Sequence, residues 1–376
     1  MKCIQCGTNN NLKERIANRG RCKRCHHQFA FEPTKMNANV RFTDQFFANL
    51  LNDISANNTL YFTPKQLFYL SKKRLATKKY IKVPDFGKRG CGCFLIFVGF
   101  LLLFAGIGLL FIIIGVVMLK LGGQQSRRQP KSPRAFSISP SMTQAWLERW
   151  NQVNPTPEKL LPQPRQQSTP ATIASDITAY SFDRLLVCDS AEIAQMLIAN
   201  NFHFDNNCAV LSITGYPQSI FATTMQMLRN NPDLRVYGLH NCSSDGMKLV
   251  HQLKTDPNWF AQSNVVIVDV GLLPRQIMAT KGNILVRFSR ASEAAAKTLP
   301  IEISQNLLFP SELEWLESGN LVELESFTPL RLMQILNRSI ARSRAVDSGH
   351  GEVTSIAHGD IDSDNDNSFY VIDSFG

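Results

Sequence analysis

The stretch Arg184–Thr214, RLLVCDSAEIAQMLIANNFHFDNNCAVLSIT, decides how the C-terminal half is read. RLLVCD and CAVLSIT are apolar runs of strand length, and the segment between them, Ala191–Asn200, has helical spacing. The rhythm continues downstream. LRVYGLH (234–240) and NVVIVDV (264–270) are further strand-like runs, with helical segments at Ser219–Arg229 and Asp245–Leu253. Such alternation predicts a parallel α/β sheet covered by helices, with chemistry gathered beyond the C-terminal strand ends. Those ends are Cys188-Asp189, Thr214-Gly215-Tyr216-Pro217, His240-Asn241-Cys242-Ser243 and Asp269. Asp189 and Asp269 also sit where an acid caps the helix after a strand. His240 reads as a strand-end hydrogen-bonding residue, and Cys188, Cys208 and Cys242 as small buried side chains.

Upstream of this domain, Gln124–Gln167 is mostly linker, with proline at 130, 133, 140, 155, 157, 162 and 164. A short amphipathic helix within it, Met142–Asn151, carries Trp146 and Trp150, suited to a lipid interface or to docking on a domain. Before the linker runs GCGCFLIFVGFLLLFAGIGLLFIIIGVVML, Gly90–Leu119, without a charge. As one helix, Phe94–Leu119 would be about 39 Å long at about 1.5 Å per residue, enough to cross about 30 Å of hydrocarbon. Gly106-Ile107-Gly108 at its centre can instead turn it back as a shallow hairpin. Basic residues crowd both ends, Lys72 to Arg89 before it and Lys120 to Arg134 after it. Such clusters mark the cytoplasmic side and attract anionic lipid, so the hairpin is preferred, with both arms cytoplasmic and the chain integral to a bacterial cell membrane.

The N-terminal arm opens with Cys3-x2-Cys6 and Cys22-x2-Cys25, fifteen residues apart. Four thiolates at this spacing close a tetrahedron around structural zinc, leaving no position open for substrate. The polar chain between them buries little, so metal supplies most of the folding energy of a ribbon spanning 1–35. His26 and His27 follow the last cysteine and read as surface residues. The arm resembles zinc ribbons of transcription and membrane-associated bacterial proteins, which bind nucleic acid or protein. Residues 40–83 then predict two or three short helices, a small helical or winged-helix-like module. Thr43 or Asp44 caps the first, and Thr63 with Pro64 opens TPKQLFYLSKKRL.

At the other end, a helix over Thr328–Arg344 buries Leu332, Ile335, Leu336 and Ile340 and carries Arg331, Arg338 and Arg342 as candidate contacts to phosphates. The tail Val346–Gly376 has seven acids and no Lys or Arg, although the whole chain of 376 residues has net charge +10. It reads as a disordered acidic tail. With the linker taken as 122–170 and the membrane segment as 90–121, the α/β domain spans 171–345. Nine cysteines with no cleavable leader before the first pair fit a reducing compartment better than a disulfide scaffold.

Lys65-Gln66-Leu67-Phe68-Tyr69 is similar to the motif around the DNA-cleaving tyrosine in the A subunit of topoisomerase VI and its meiotic double-strand-break relatives. That family has an Arg, two intervening residues and an aromatic–Tyr pair in a winged-helix domain. Tyr69 falls on the nucleophile position, and Lys65 replaces the Arg. The family's C-terminal half is a Toprim domain, and its landmarks stand here in order. They are LLVCD with Asp189 in place of Glu, Gly215-Tyr216-Pro217, Val236-Tyr237-Gly238-Leu239, Gly271-Leu272-Leu273-Pro274, and Gly319–Glu325 near the family's Lys-Ala-Glu element.

The resemblance implies a Toprim-like fold, DNA as partner, and clustered carboxylates holding Mg²⁺ against a transferring phosphate. The departures bear on activity. Asn241 and Ser243 occupy the family's Asp-x-Asp positions, with Gly246 retained. Asp189 and Asp245 remain, one carboxylate short of a metal site. The expectation is therefore a membrane-tethered, degenerate Toprim-like protein that binds DNA or a protein partner without cleaving. The alternatives are a magnesium-dependent DNA-cleaving enzyme with Tyr69 as nucleophile and Asp189 on the metal, or a membrane scaffold for protein alone.

Overall fold

The computed structural model describes residues 1–37, 40–77, 81–82, 128–129, 138–164, 182–229, 231, 233–261, 263–280 and 284–347. The apolar run 90–121 and the tail from 348 onward lie outside the described residues. Among the described residues no helix is long and apolar enough to cross a membrane. The chain divides into two compact units, one holding Met1–Lys35, Phe42–Ser71 and Ser139 onward, the other Met36–Arg41 and Lys72–Ile138.

In the first unit, helix α1 (Leu12–Ala17) starts in a capping box between Asn11 and Glu14. Helix α2 (Asp44–Ile54) starts at Thr43, whose hydroxyl accepts from the Phe46 N–H, and buries Phe47, Leu50, Leu51 and Ile54. Helix α3 (Pro64–Thr77) opens on a reciprocal cap, Thr63 N–H to Gln66 Oε1 at 3.0 Å and Gln66 N–H to Thr63 Oγ1 at 3.1 Å. Within the second unit, β1 (Ile81–Lys82) pairs antiparallel with β2 (Arg128–Gln129), Ile81 opposite Gln129.

Returning to the first unit, helix α4 (Pro140–Asn151) is capped by Ser139. It lies in the proline-rich stretch, where the sequence predicts a helix over Met142–Asn151, and its tryptophans dock on a domain. Trp150 is buried against Phe31 and Phe47, Trp146 meets Phe42 edge-on at 4.9 Å, and Leu161 N–H donates to the Phe62 carbonyl. Proline-rich composition marks where a chain cannot continue a helix, but two tryptophans still gain from leaving water. The helical module is thus completed by chain from beyond the apolar run.

The α/β part follows the alternation read from the sequence. Strands β3 (Arg184–Cys188), β4 (Cys208–Ser212), β5 (Arg235–Leu239) and β6 (Val266–Asp269) form one parallel sheet in the order β4-β3-β5-β6. Its two faces share out alternate residues, as a doubly covered sheet requires. Leu186 and Cys188 join one core with helix α5 (Ala191–Ala199) and the long C-terminal helix (Pro329–Asp347), which buries Leu332, Leu336 and Ile340. Leu185 and Val187 join the opposite core with the helices Gln218–Arg229 and Leu249–Thr255. Cys188, Cys208 and Cys242 are buried, reduced thiols. A small antiparallel pair, Arg287–Phe288 with Asn320–Leu321, stands apart from the main sheet and positions the site described next.

Candidate functional site: a thiolate cluster and a carboxylate cluster

The sulfurs of Cys3, Cys6, Cys22 and Cys25 all lie within 4.8 Å of one another. Cys3 to Cys25 and Cys6 to Cys22 are each 3.6 Å, close to the separation of about 3.8 Å that a tetrahedron with Zn–S of about 2.3 Å imposes. The two knuckles repeat one backbone geometry. Gly7 N–H returns to the Cys3 carbonyl and His26 N–H to the Cys22 carbonyl, with φ of +70° at Gly7 and +58° at His26. His26 therefore fills the left-handed turn position that glycine holds in the first knuckle.

Burial works to raise the Cys22 thiol, but the N–H groups of Cys25 and Arg24 and the Asn10 amide outweigh it and lower it, while the neighbouring sulfurs push Cys25 up, so without a metal the four thiols share their protons unevenly. A thiolate is the form a metal takes. The donor set, spacing and burial fit structural zinc, held by these four cysteines. The ribbon is fixed to α2 by the buried Asp44, which accepts from the N–H groups of Ala30 and Phe31, both at 2.9 Å.

The second cluster forms at the C-terminal edge of the parallel sheet. Asp189, just past β3, accepts from the Asn241 N–H at 2.6 Å, while Ser190, not Asp189, caps α5. Asn241 in turn accepts from the Leu324 N–H at 2.7 Å, and Cys242 bridges to Val322. These bonds staple 322–325 across the end of β5, burying Val322 and Leu324 and presenting Glu323 and Glu325. Gly246 is required here, because an added Cβ would fall 2.2 Å from the Asn241 carbonyl oxygen.

Helix α3 brings one cation, Lys65, and the Arg287–Phe288 strand brings the other. Lys65 Nζ lies 3.0 Å from Glu323 and 3.2 Å from Glu325. The buried Tyr69 donates its hydroxyl to Glu323, and Arg287 reaches both Glu323 at 2.7 Å and the Tyr69 oxygen at 3.2 Å. Gln66 donates to the Phe327 carbonyl, and Asn200 clamps the Tyr61 backbone from both sides, so α3 is held in register.

Burial, then the Glu323 charge, pushes the Tyr69 phenol well above its ordinary range. Burial opposes ionisation of Glu323, yet Tyr69, Lys65 and Arg287 hold it below the usual carboxylate range. Burial raises Glu325 and lifts Asp189 to about 6. Nearby, His240 is fully buried. Burial would lower it, but its bond to Asp269 at 3.0 Å raises it to about 9.

Tyr69, Lys65 and Asp189 are therefore brought to one place. Asp269 serves His240 and the Gly271 N–H instead of a helix cap. Arg331, half-buried, and Arg338, exposed, stand on the C-terminal helix, which also carries Arg342. Arg287 was not legible in advance, since it belongs to no motif and reaches Glu323 only through the small Arg287–Phe288 pair. Glu323 and Glu325 were visible as an element, but not as partners of Lys65. Among the described residues, the four cysteines are the one group of three or more such side chains that converges at metal-ligand distance. The acids do not.

A scan against protein-family models finds no match, and a search of curated proteins finds none. What the fold and sites define is a class, an α/β protein with a parallel four-strand sheet and an N-terminal four-cysteine cluster of zinc-site geometry.

Proposed function

We propose that this chain is a membrane-tethered, non-catalytic, Toprim-like binding protein, a divergent relative of the topoisomerase VI A subunit. It engages DNA or a protein partner at the cytoplasmic face of the membrane. The observation that carries the loss of catalysis is the state of the carboxylate cluster. Lys65 and Arg287 already neutralise Glu323 and Glu325, and the hydroxyl of Tyr69 is spent on Glu323. A tyrosine nucleophile must give up its proton; burial opposes that, and Glu323, the acceptor at its hydroxyl, is a weak base because Lys65 and Arg287 already pair with it. Asn241 and Ser243 act on backbone groups, Asn241 on Leu324 and Ser243 on Gly246.

Support for a hairpin anchor comes from β1 and β2, which bond to each other on either side of 83–127. Chain ends paired in this way leave and return on one face, in keeping with basic residues at both ends of the run. The cleaving alternative draws on one specific observation, the placement of Tyr69 in the same cluster as the acids.

Magnesium-dependent nicking of supercoiled DNA separates the two readings. No nicking by the parent or by Tyr69→Phe is expected, and parental nicking that vanishes in the variant overturns the proposal. DNA retention that falls steeply with added salt supports DNA as the partner, and its absence points to protein.

A further inference from the structure

The ribbon carries a surface that neither the zinc cluster nor the carboxylate cluster uses. Residues 1–35 hold eight Lys and Arg against two acids, Glu14 and Glu32. Both acids are engaged, Glu14 with Lys23 at 2.7 Å and Glu32 with Arg15 at 2.8 Å. Lys13, Arg19, Arg21 and Arg24 are exposed and have no carboxylate partner among the described residues. Among these bases stand two bare aliphatic side chains, Leu12 at 41 % and Ile16 at 70 % exposure. They lie one turn apart on α1, and Arg19 follows in the turn that closes the helix. A single exposed aliphatic is ordinary, but a pair one turn apart, with Lys13 beside it in the chain and Arg19 in the closing turn, joins apolar and cationic groups in one short stretch.

We infer that this face of the ribbon docks on an anionic lipid surface. Leu12 and Ile16 enter the headgroup boundary while Lys13, Arg19, Arg21 and Arg24 meet lipid phosphates and carboxylates. Nucleic acid fits the bases but not the aliphatics, which gain nothing against a phosphate backbone. Stacking contacts to bases call for aromatic or planar groups instead. Shallow burial of aliphatic side chains beside clustered cations is how amphipathic surfaces hold anionic bilayers. The inference needs a bilayer, as the tethering reading does, and it is tested separately from the tether.

The full-length, zinc-loaded chain, with Ile16 replaced by the photoreactive residue benzoylphenylalanine, is mixed with phosphatidylcholine vesicles. Parallel samples contain phosphatidylserine or added duplex DNA. The expected result is a lipid adduct at position 16, roughly tenfold stronger with phosphatidylserine. It should be lost in the Arg19→Gln, Arg21→Gln, Arg24→Gln variant. Should that variant lose its zinc, the adduct of the unaltered arginines must instead fall steeply as salt rises. An absent adduct, one indifferent to phosphatidylserine, or one formed with DNA in place of lipid overturns the inference. Flotation with pure phosphatidylcholine reports the apolar run alone. A chain that floats there without a phosphatidylserine-dependent adduct keeps its tether and loses the ribbon contact. A chain that floats only with phosphatidylserine, and forms the adduct, keeps the ribbon contact and loses the tether.

Discussion

The ribbon and the end of the α/β sheet each gather anionic side chains, and they neutralise them in opposite ways. The ribbon has four converging thiol groups and a thin core, so its geometry suits a metal ion. The sheet end has Asp189, Glu323 and Glu325, and supplies Lys65 and Arg287 from two different elements. A side chain can replace a metal only where tertiary packing already fixes both partners. That is true at the sheet end, where α3 is clamped by Asn200 and Gln66.

Removing the metal is the most disruptive way to break this contrast. Cys22→Ser, or a chelator, is expected to unfold residues 1–35 through loss of metal-binding free energy on the order of 10 kcal/mol. Limited proteolysis and zinc content should both report it, while the α/β part keeps its cooperative melt. A simultaneous collapse of both would show that they are not independent.

Next in size is Lys65→Met, which leaves Glu325, 1 % exposed, without its cation. Lys65 is itself 39 % exposed, so solvent offsets part of the loss and about 2–3 kcal/mol is expected in urea unfolding. Added Mg²⁺ is expected to restore part of that loss in the variant and to do little to the parent. An unchanged midpoint would refute Lys65 as the resident cation.

Asp189→Asn should act in the other direction. Burial lifts the Asp189 carboxyl to about 6 from an ordinary value of 3.8, so the folded chain binds this proton more tightly than the unfolded one. Its contribution to stability is therefore greatest at low pH and declines as pH rises from about 4 to about 6. The amide removes that penalty while keeping an acceptor for the Asn241 N–H. A gain of about 2 kcal/mol near neutral pH is expected, with a flatter profile across that window. Equal stability of variant and parent at every pH would sink this account.

The smallest effect is that of Tyr69→Phe. It deletes one hydrogen bond but leaves Glu323 with Lys65 and Arg287, so a loss of about 1 kcal/mol is expected by calorimetry. A loss several times larger would mean that the hydroxyl, rather than the cations, holds the cluster together.

Local signals were legible. The Cys-x2-Cys spacing, the Thr43 and Thr63 caps and the four strand runs all depend on neighbours within a few residues, and the structure keeps each of them. Signals that depend on distant chain were not. Trp146 and Trp150 read as lying on a short helix, but whether lipid or a domain receives them is decided only by the aromatic surface of Phe31, Phe42 and Phe47. Asp189 looked like a helix cap because it precedes a helix, yet Ser190 caps it and Asp189 turns to Asn241.

By itself the sequence determined two things, a thiolate set that can close around one metal and a chain that alternates strand and helix. Ligand spacing and hydrophobic period are properties of contiguous residues, which is why they survive without coordinates. Tertiary structure alone decided what the acids at the sheet end do. Lys65, Arg287 and Glu323 are far apart in the chain, and their charges acquire meaning only when folding places them within about 3 Å, where they neutralise one another.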